Sequence, residues 1–179
     1  MSALTTVAES ISSQSNDIEK AAIAIISAAV PHVNPDIAFG YKSGDVGDIT
    51  LAAAVMIGQL GTPSDVVRYS LILSDANGEA FNGKDTYVLT VPAGIVHDNG
   101  YSSVTIYGSD NKLLIPNAKK IYDRTTYTSK QNADGTYTVT LSPNGEGLNG
   151  IPTGKPFYGV LRAYCPVQGA NMTVKVEKI

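Results

Sequence analysis

A succession of short segments with β-type alternation, separated by tight-turn signals, fills the chain after residue 65. The turn signals are pairs such as Asn77-Gly78 and Asp134-Gly135, and these residues tolerate the positive φ angles that tight hairpins require. Eight candidate strands lie among the turns, at residues 66–74, 84–92, 101–107, 112–116, 120–128, 136–142, 157–164 and 171–178. Eight short strands at this spacing predict a sandwich or barrel rather than a parallel sheet.

The first thirty residues predict a helix, because apolar residues recur in them at a spacing of seven. This stripe consists of Leu4, Ile11, Ile18 and Ile25. A second candidate N-cap at Asn16 leaves open one helix or two. A further helix is predicted over 49–59, so we divide the chain into a helical segment with its loop, 1–47, and a β-domain with a lead-in helix, 48–179. The stripe packs either on its own domain or against other copies of the chain.

Charge and composition argue against several kinds of partner. The net charge of −3 argues against a nucleic acid held through its phosphates. The single cysteine, Cys165, permits no disulfide within the chain, and we expect it to be buried. We expect no signal peptide, because the N-terminus has no basic region followed by an apolar one. The longest apolar stretch, 21–30, is too short to cross a membrane. We therefore expect a protein of the cytoplasm, or of an assembled particle or filament, with no membrane partner.

Signatures of catalysis are missing from the sequence. It holds no Gly-x-Ser-x-Gly elbow, no phosphate-binding glycine loop and no His-Glu-x-x-His. The two histidines, His32 and His97, have no second ligand at metal-binding spacing. The sequence therefore predicts no catalytic residue, no metal and no cofactor, and it favours a protein that is not an enzyme.

A longer chain of motifs resembles the family called domain of unknown function 1214. The order and spacing of these motifs hold from about residue 50 to the C-terminus. The motifs include Arg68-Tyr69, Phe81-Asn-Gly83, Ser103-Val-Thr-Ile-Tyr107, Asn149-Gly-Ile-Pro-Thr153, Gly154-Lys-Pro-Phe-Tyr158 and Leu161-Arg-Ala-Tyr-Cys-Pro166. The resemblance implies a single antiparallel jelly-roll-like sandwich, similar to capsid modules of large DNA viruses and usually paired with another domain of unknown function. It implies no agreed activity.

Two stretches depart from the family pattern. Tyr101-Ser102-Ser103 stands where the family tends to have Phe-Trp-Ser, and Asn149-Gly150-Ile151-Pro152 stands where it has Asn-Trp-Leu-Pro. The chain contains no tryptophan. The departures predict either a smaller ligand pocket or a core repacked with smaller residues.

Three functions stay open at this point. The first is a non-catalytic structural subunit, a homo-oligomer built through the apolar stripe that forms a virion, a shell or a filament. The second is a module that binds a carbohydrate or another small molecule on one sheet face. The candidate binding residues are Arg162, Tyr107, Tyr164 and Asn149. The third is a hydrolase that uses two converging carboxylates, for which the sequence favours no particular pair.

Overall fold

The chain divides into two compact units, Met1–Pro63 and Ser64–Ile179. The structure is a computed structural model that describes residues 2–34, 38–42, 46–57 and 61–179. Within these ranges, the side chains of residues 2–15, 31, 56 and 57 fall outside the description. No helix of the described residues is both long enough and apolar enough to span a membrane.

The first unit is helical. Helix α1 spans Ser2–Ala29 and passes into a short 3-10 helix, Val30–His32, and helix α2 spans Asp48–Ile57. The first helix is single, and neither glycine nor proline interrupts its sequence. Helix α2 contacts α1 and belongs to the first unit, whereas the sequence prediction grouped it with the β-domain.

The second unit is a β-sandwich of two four-stranded sheets, which confirms the mainly β prediction. Its strands are β1 Val67–Ile72, β2 Tyr87–Val91, β3 Val96–Gly108, β4 Asp123–Thr125, β5 Tyr137–Ser142, β6 Ile151–Pro152, β7 Phe157–Pro166 and β8 Lys175–Lys178. The first sheet has the order β1-β7-β3-β4, and the second has the order β6-β5-β2-β8. Because most connections cross between the sheets, the arrangement is consistent with a jelly-roll-like description.

Two details of the strand prediction are wrong. Residues 112–116 form no strand and make only one isolated bridge, between Tyr107 and Leu114. The chain turns there instead, since the amide of Lys112 donates to Gly108 and Lys112 has a φ of 60°. The two-residue strand β6 was not predicted, and it pairs parallel with β5, so the sandwich is not wholly antiparallel. Pro152, which has no amide hydrogen, is tolerated in β6 because this strand lies at the sheet edge.

The core lies between the two sheets and is filled by alternate residues of their strands. Fully buried members include Leu89, Val104, Val139, Leu141 and Leu161. Every second residue of these strands faces inward, as alternation requires. The remaining residues of each strand therefore face away from the core, and one of these two outer faces carries the candidate site.

Cys165 departs from its predicted burial. It lies near the end of β7 with a φ of 52°, and its side chain is exposed. This left-handed residue interrupts the in-and-out alternation of β7. The partner strand β3 shifts register at the same place, between Val96 and Tyr101. The prediction was wrong because it followed the general preference of cysteine for buried positions, whereas the left-handed backbone at Cys165 leaves this side chain exposed.

Candidate binding face

The outer face of the first sheet is lined by tyrosines around one arginine. Strand pairing places Tyr107 opposite Tyr158, Ser103 opposite Arg162 and Tyr101 opposite Tyr164. Tyr69 of β1 lies on the other side of Arg162. We call this surface the tyrosine–arginine face, formed by Tyr69, Tyr101, Tyr107, Tyr158, Arg162 and Tyr164. All six residues are partly exposed, so the face is available to solvent at its side-chain tips.

Arg162 stands at the centre of the tyrosine–arginine face. Its Nη1 donates to the hydroxyl of Thr105 at 3.2 Å, and its Nη2 donates to the hydroxyl of Tyr107 at 2.9 Å. The guanidinium carbon lies 5.9 Å from the ring centre of Tyr69 and 5.7 Å from that of Tyr107, within the range of cation–π attraction. Hydroxyls and rings therefore fix the guanidinium in place.

Two lysines of the sandwich have a carboxylate partner, and Arg162 pairs with none among the described residues. Lys155 pairs with Asp110 at 2.9 Å, and Lys178 pairs with Asp85. Among the residues that the structure describes, no carboxylate forms an ion pair with Arg162. The cation is thus held by neutral groups, on a region of the chain (66–179) that carries 11 basic and 9 acidic residues.

The tyrosines of the tyrosine–arginine face stack in pairs across the strands. The rings of Tyr101 and Tyr164 are 4.4 Å apart and nearly parallel, and those of Tyr107 and Tyr158 are 5.6 Å apart. Burial raises the pKa of Tyr158 and of Tyr164, and a neighbouring tyrosine adds to each increase. Both hydroxyls therefore stay protonated at neutral pH and can donate hydrogen bonds.

Asn149 lies apart from the other predicted binding residues, in the loop before β6. Its Nδ2 donates to the carbonyls of Thr138 at 2.7 Å and Lys130 at 3.1 Å, and its Oδ1 accepts the amide of Lys130 at 2.9 Å. The structure therefore brings together Arg162, Tyr107 and Tyr164 and leaves Asn149 as a brace of its loop.

The predicted assembly stripe is described in part. Ile18 and Ile25 are 71% and 56% exposed on α1. The side chains of Leu4 and Ile11 lie outside the described residues. The described half of the stripe is therefore open to solvent.

One shallow groove holds two acidic residues. Asp75 and Glu177 both line this groove of about 240 Å³. One oxygen of Asp75, Oδ1, accepts the amides of Asn77 and Glu79 at 2.9 and 3.0 Å. This carboxylate thus closes the turn formed by its own Asp75-Ala-Asn-Gly sequence. Within the described ranges, no three histidine, cysteine or acidic side chains are grouped so that they could hold a metal ion.

In both stretches that depart from the family pattern, other parts of the chain pack closely around the residue that stands in place of tryptophan. Ser102 is buried, and its hydroxyl lies 3.0 Å from that of Tyr137. Gly150 is also buried, and a Cβ there would stand 2.3 Å from the carbonyl oxygen of Gly145. These two positions support the repacking alternative rather than a pocket.

The part of the chain that carries the tyrosine–arginine face matches a known protein family. The family model described as "Protein of unknown function (DUF1214)" matches residues 67–168, which include both β1 and β7. The chain belongs to the DUF1214 family. The family resemblance predicted from the motifs is thereby confirmed. The sequence did not indicate Thr105 or Tyr69 as site residues, because the strand register that brings them to Arg162 is not visible in any local sequence pattern.

Solved structures of two other proteins are similar to this DUF1214 chain. The VPA0106 protein from Vibrio parahaemolyticus shares 27% identity, with a TM-score of 0.67, over 90% of this chain and 43% of its own. This chain thus spans less than half the length of that protein. An uncharacterised protein from Burkholderia cenocepacia shares 14% identity, with a TM-score of 0.48, over 74% of this chain and 33% of its own. No protein with a curated description matches the chain.

Proposed function

We propose that this DUF1214 chain is a non-catalytic binding module whose ligand docks on the tyrosine–arginine face. The observation that carries the proposal is the guanidinium of Arg162, which is held in place without a carboxylate partner. A fixed arginine beside hydroxyls and rings is a common recognition element for small polar molecules. The ligand would be a small molecule or a glycan, as the sequence already suggested.

The position of Arg162 within β7 supports this function. Sites carried by strands are held more precisely than sites on loops, and β7 pairs with neighbours on both sides. Tyr69 and Tyr107 flank the guanidinium from these two neighbouring strands. The face therefore needs little rearrangement on binding, which lowers the entropic cost of capturing a ligand.

A thermal-shift screen against a library of metabolites and glycans tests the proposal. We expect some compounds to raise the melting temperature of the wild-type protein and not that of the Arg162→Met variant. The matched control is Lys175→Met, which removes an exposed cation from β8 in the other sheet. Compounds that stabilise the wild type and Arg162→Met equally would show binding elsewhere and refute the proposal.

We propose a second function, that of a structural subunit that self-associates through α1. The exposure of Ile18 and Ile25, seven residues apart, favours it. Apolar residues repeated every seven positions form a stripe that can pack against a second copy of itself, as in coiled coils. A homo-oligomer of this kind would suit a shell, a filament or a viral particle. This function is compatible with ligand binding, because the stripe and the tyrosine–arginine face belong to different units.

Light scattering coupled to size-exclusion chromatography tests self-association. We expect the wild type to be oligomeric and the double variant Ile18→Gln/Ile25→Gln to be monomeric. Ser27→Gln, an exposed change on α1 outside the stripe, is the control and should leave the oligomer intact. A wild-type protein that stays monomeric at high concentration would contradict this second function.

A further inference from the structure

Several tyrosine rings of the tyrosine–arginine face already contact other groups of the protein. Tyr101 lies between Tyr164 at 4.4 Å and Tyr127 at 5.6 Å. The stacked pair of Tyr107 and Tyr158 lies between two cations, with Arg162 near the first ring and Lys112 5.0 Å from the centre of the second. Since these ring faces are occupied, the face recognises a ligand through hydrogen bonds and charge more than through stacking.

The centre of the tyrosine–arginine face has a surplus of hydrogen-bond donors. A guanidinium carries five N–H groups, and the protein accepts two of them, at Thr105 and Tyr107. The hydroxyl of Tyr107 accepts from Arg162, so its own hydrogen remains available for donation. A ligand that completes this cluster must supply acceptors rather than donors.

Negative charge is also what the centre of the face lacks. The strand register places one acidic residue on this face, Asp123 of β4, opposite Thr105. Strand β3 separates β4 from β7. Asp123 makes no ion pair with Arg162, so the charge of the guanidinium is left for a ligand to balance.

We infer that the ligand presents an oxyanion, a carboxylate, sulfate or phosphate group, to the guanidinium of Arg162 and the hydroxyl of Tyr107. The inference rests on the proposed function, because it names the chemistry of a ligand for that same face. Oxyanions accept several hydrogen bonds at once and match the fork of an arginine. The charged group is thus the part of the ligand that decides affinity.

A series of probes on one scaffold tests the inference. Glucuronate, a glucose phosphate ester, a glucose sulfate ester and neutral glucose differ only in the charged group. Binding is followed by titration calorimetry and by the NMR signals of the arginine side chains. We expect the anionic sugars to bind and to shift the Arg162 signal, and we expect neutral glucose to bind at least tenfold more weakly, a difference of about 1.4 kcal/mol. The tightest anionic arm identifies which oxyanion the face prefers.

Three variants locate the anion. Arg162→Met should abolish binding of the anionic sugars, and Arg162→Lys, which keeps the charge but loses the fork, should bind more weakly than the wild type and better than Arg162→Met. Tyr107→Phe should weaken binding roughly threefold to tenfold through the lost hydroxyl. Lys175→Met should bind like the wild type. Thermal unfolding of each variant confirms that it is folded, and Tyr107→Phe retains the ring if Arg162→Met is unstable.

The outcomes separate this inference from the proposed function. If neutral glucose binds the face as tightly as glucuronate, the binding function stands and the oxyanion inference is overturned. If the anionic sugars bind equally well to the wild type and to Arg162→Met, both are overturned. If no anionic sugar shifts the Arg162 signal at millimolar concentration while compounds from the library still stabilise only the wild type, the inference alone is overturned.

Discussion

Asn149 fixes the loop before β6 through its side-chain amide. The amide makes three hydrogen bonds, to the backbone of Lys130 and Thr138, and the residue adopts a φ of 49°. Asparagine tolerates this left-handed conformation better than most residues. Its place in a family motif therefore has a structural explanation, and ligand binding is not needed to account for it.

The Asn149→Gly variant isolates these three hydrogen bonds, because glycine adopts the same backbone conformation without strain. We expect the free energy of unfolding to fall by about 1–3 kcal/mol, measured by urea denaturation, with ligand binding on the tyrosine–arginine face unchanged. Asn144→Gly, an exposed change in the same loop, is the control. Loss of binding with wild-type stability would show that Asn149 contacts the ligand.

Tyr137 makes the stability of the sandwich fall at alkaline pH. Burial raises the pKa of Tyr137 to about 12, and the hydrogen bond between the Tyr137 and Ser102 hydroxyls acts in the opposite direction. The unfolded chain loses this proton near pH 10, so the folded state binds more protons than the unfolded state between these values. The protonated Tyr137 phenol therefore contributes roughly 2–3 kcal/mol to the free energy of unfolding. This contribution is complete below about pH 10 and is lost as the pH rises towards 12.

Chemical denaturation at several pH values between about 9 and 12 measures this dependence. The double variant Tyr137→Phe/Ser102→Ala removes the phenol without leaving an unpaired buried hydroxyl. We expect the stability of this variant to fall less steeply over that range than the stability of the wild type. Equal slopes for the two proteins would contradict the assignment to Tyr137.

At the level of elements, the alternation of apolar and polar residues predicted the strands that carry the core. The pairing register between strands determines which side chains meet on the outer face of the sheet. The alternation of β5 was visible because Tyr137, Val139 and Leu141 face inward together. The short strand β6 was not visible, since two residues carry no period. The tyrosine–arginine face was visible only in part, because it depends on residues 57 positions apart, Thr105 and Arg162, meeting across β3 and β7.

The loop between β5 and β6 closes tightly on Gly150. A Cβ at this position would lie 2.3 Å from the carbonyl oxygen of Gly145, and Arg124 donates to the carbonyl of Gly150 at 2.8 Å. We expect Gly150→Ala to lower the free energy of unfolding by about 2–4 kcal/mol, because the backbone of the loop must shift.

Gly169→Ala provides the comparison for this prediction. Gly169 has a φ of 76° and open space around it, so the change adds backbone strain alone, at a cost of about 1–2 kcal/mol. Thermal unfolding should therefore rank Gly150→Ala as the less stable variant. The opposite order would show that the loop relaxes easily around a methyl group.

For the whole molecule, the division after Pro63 separates the features that support the two proposed functions. The exposed isoleucines of α1 lie in Met1–Pro63, and the tyrosine–arginine face lies in Ser64–Ile179, which has its own hydrophobic core. Residues 1–65 hold two basic residues against seven acidic ones, whereas 66–179 are slightly basic. The charge pattern thus follows the division closely, and the acidic part does not carry the proposed anion site.

A fragment of residues 64–179 should therefore fold by itself. We expect a cooperative thermal transition and dispersed amide NMR signals, because the core cluster lies entirely within this range. The fragment should be monomeric and should bind the same probes as the full chain. A fragment that is unfolded would show that the sandwich depends on the first unit.

The position of a bound anionic sugar on the full chain is the most direct test of the proposed function. The measurement is a crystal structure of the chain with the tightest anionic sugar of the series. We expect the charged group within hydrogen-bond distance of Arg162 and of the Tyr107 hydroxyl, between β1 and β3. Density for the sugar in the groove of Asp75 and Glu177 instead, with the tyrosine–arginine face empty, would contradict the proposed function.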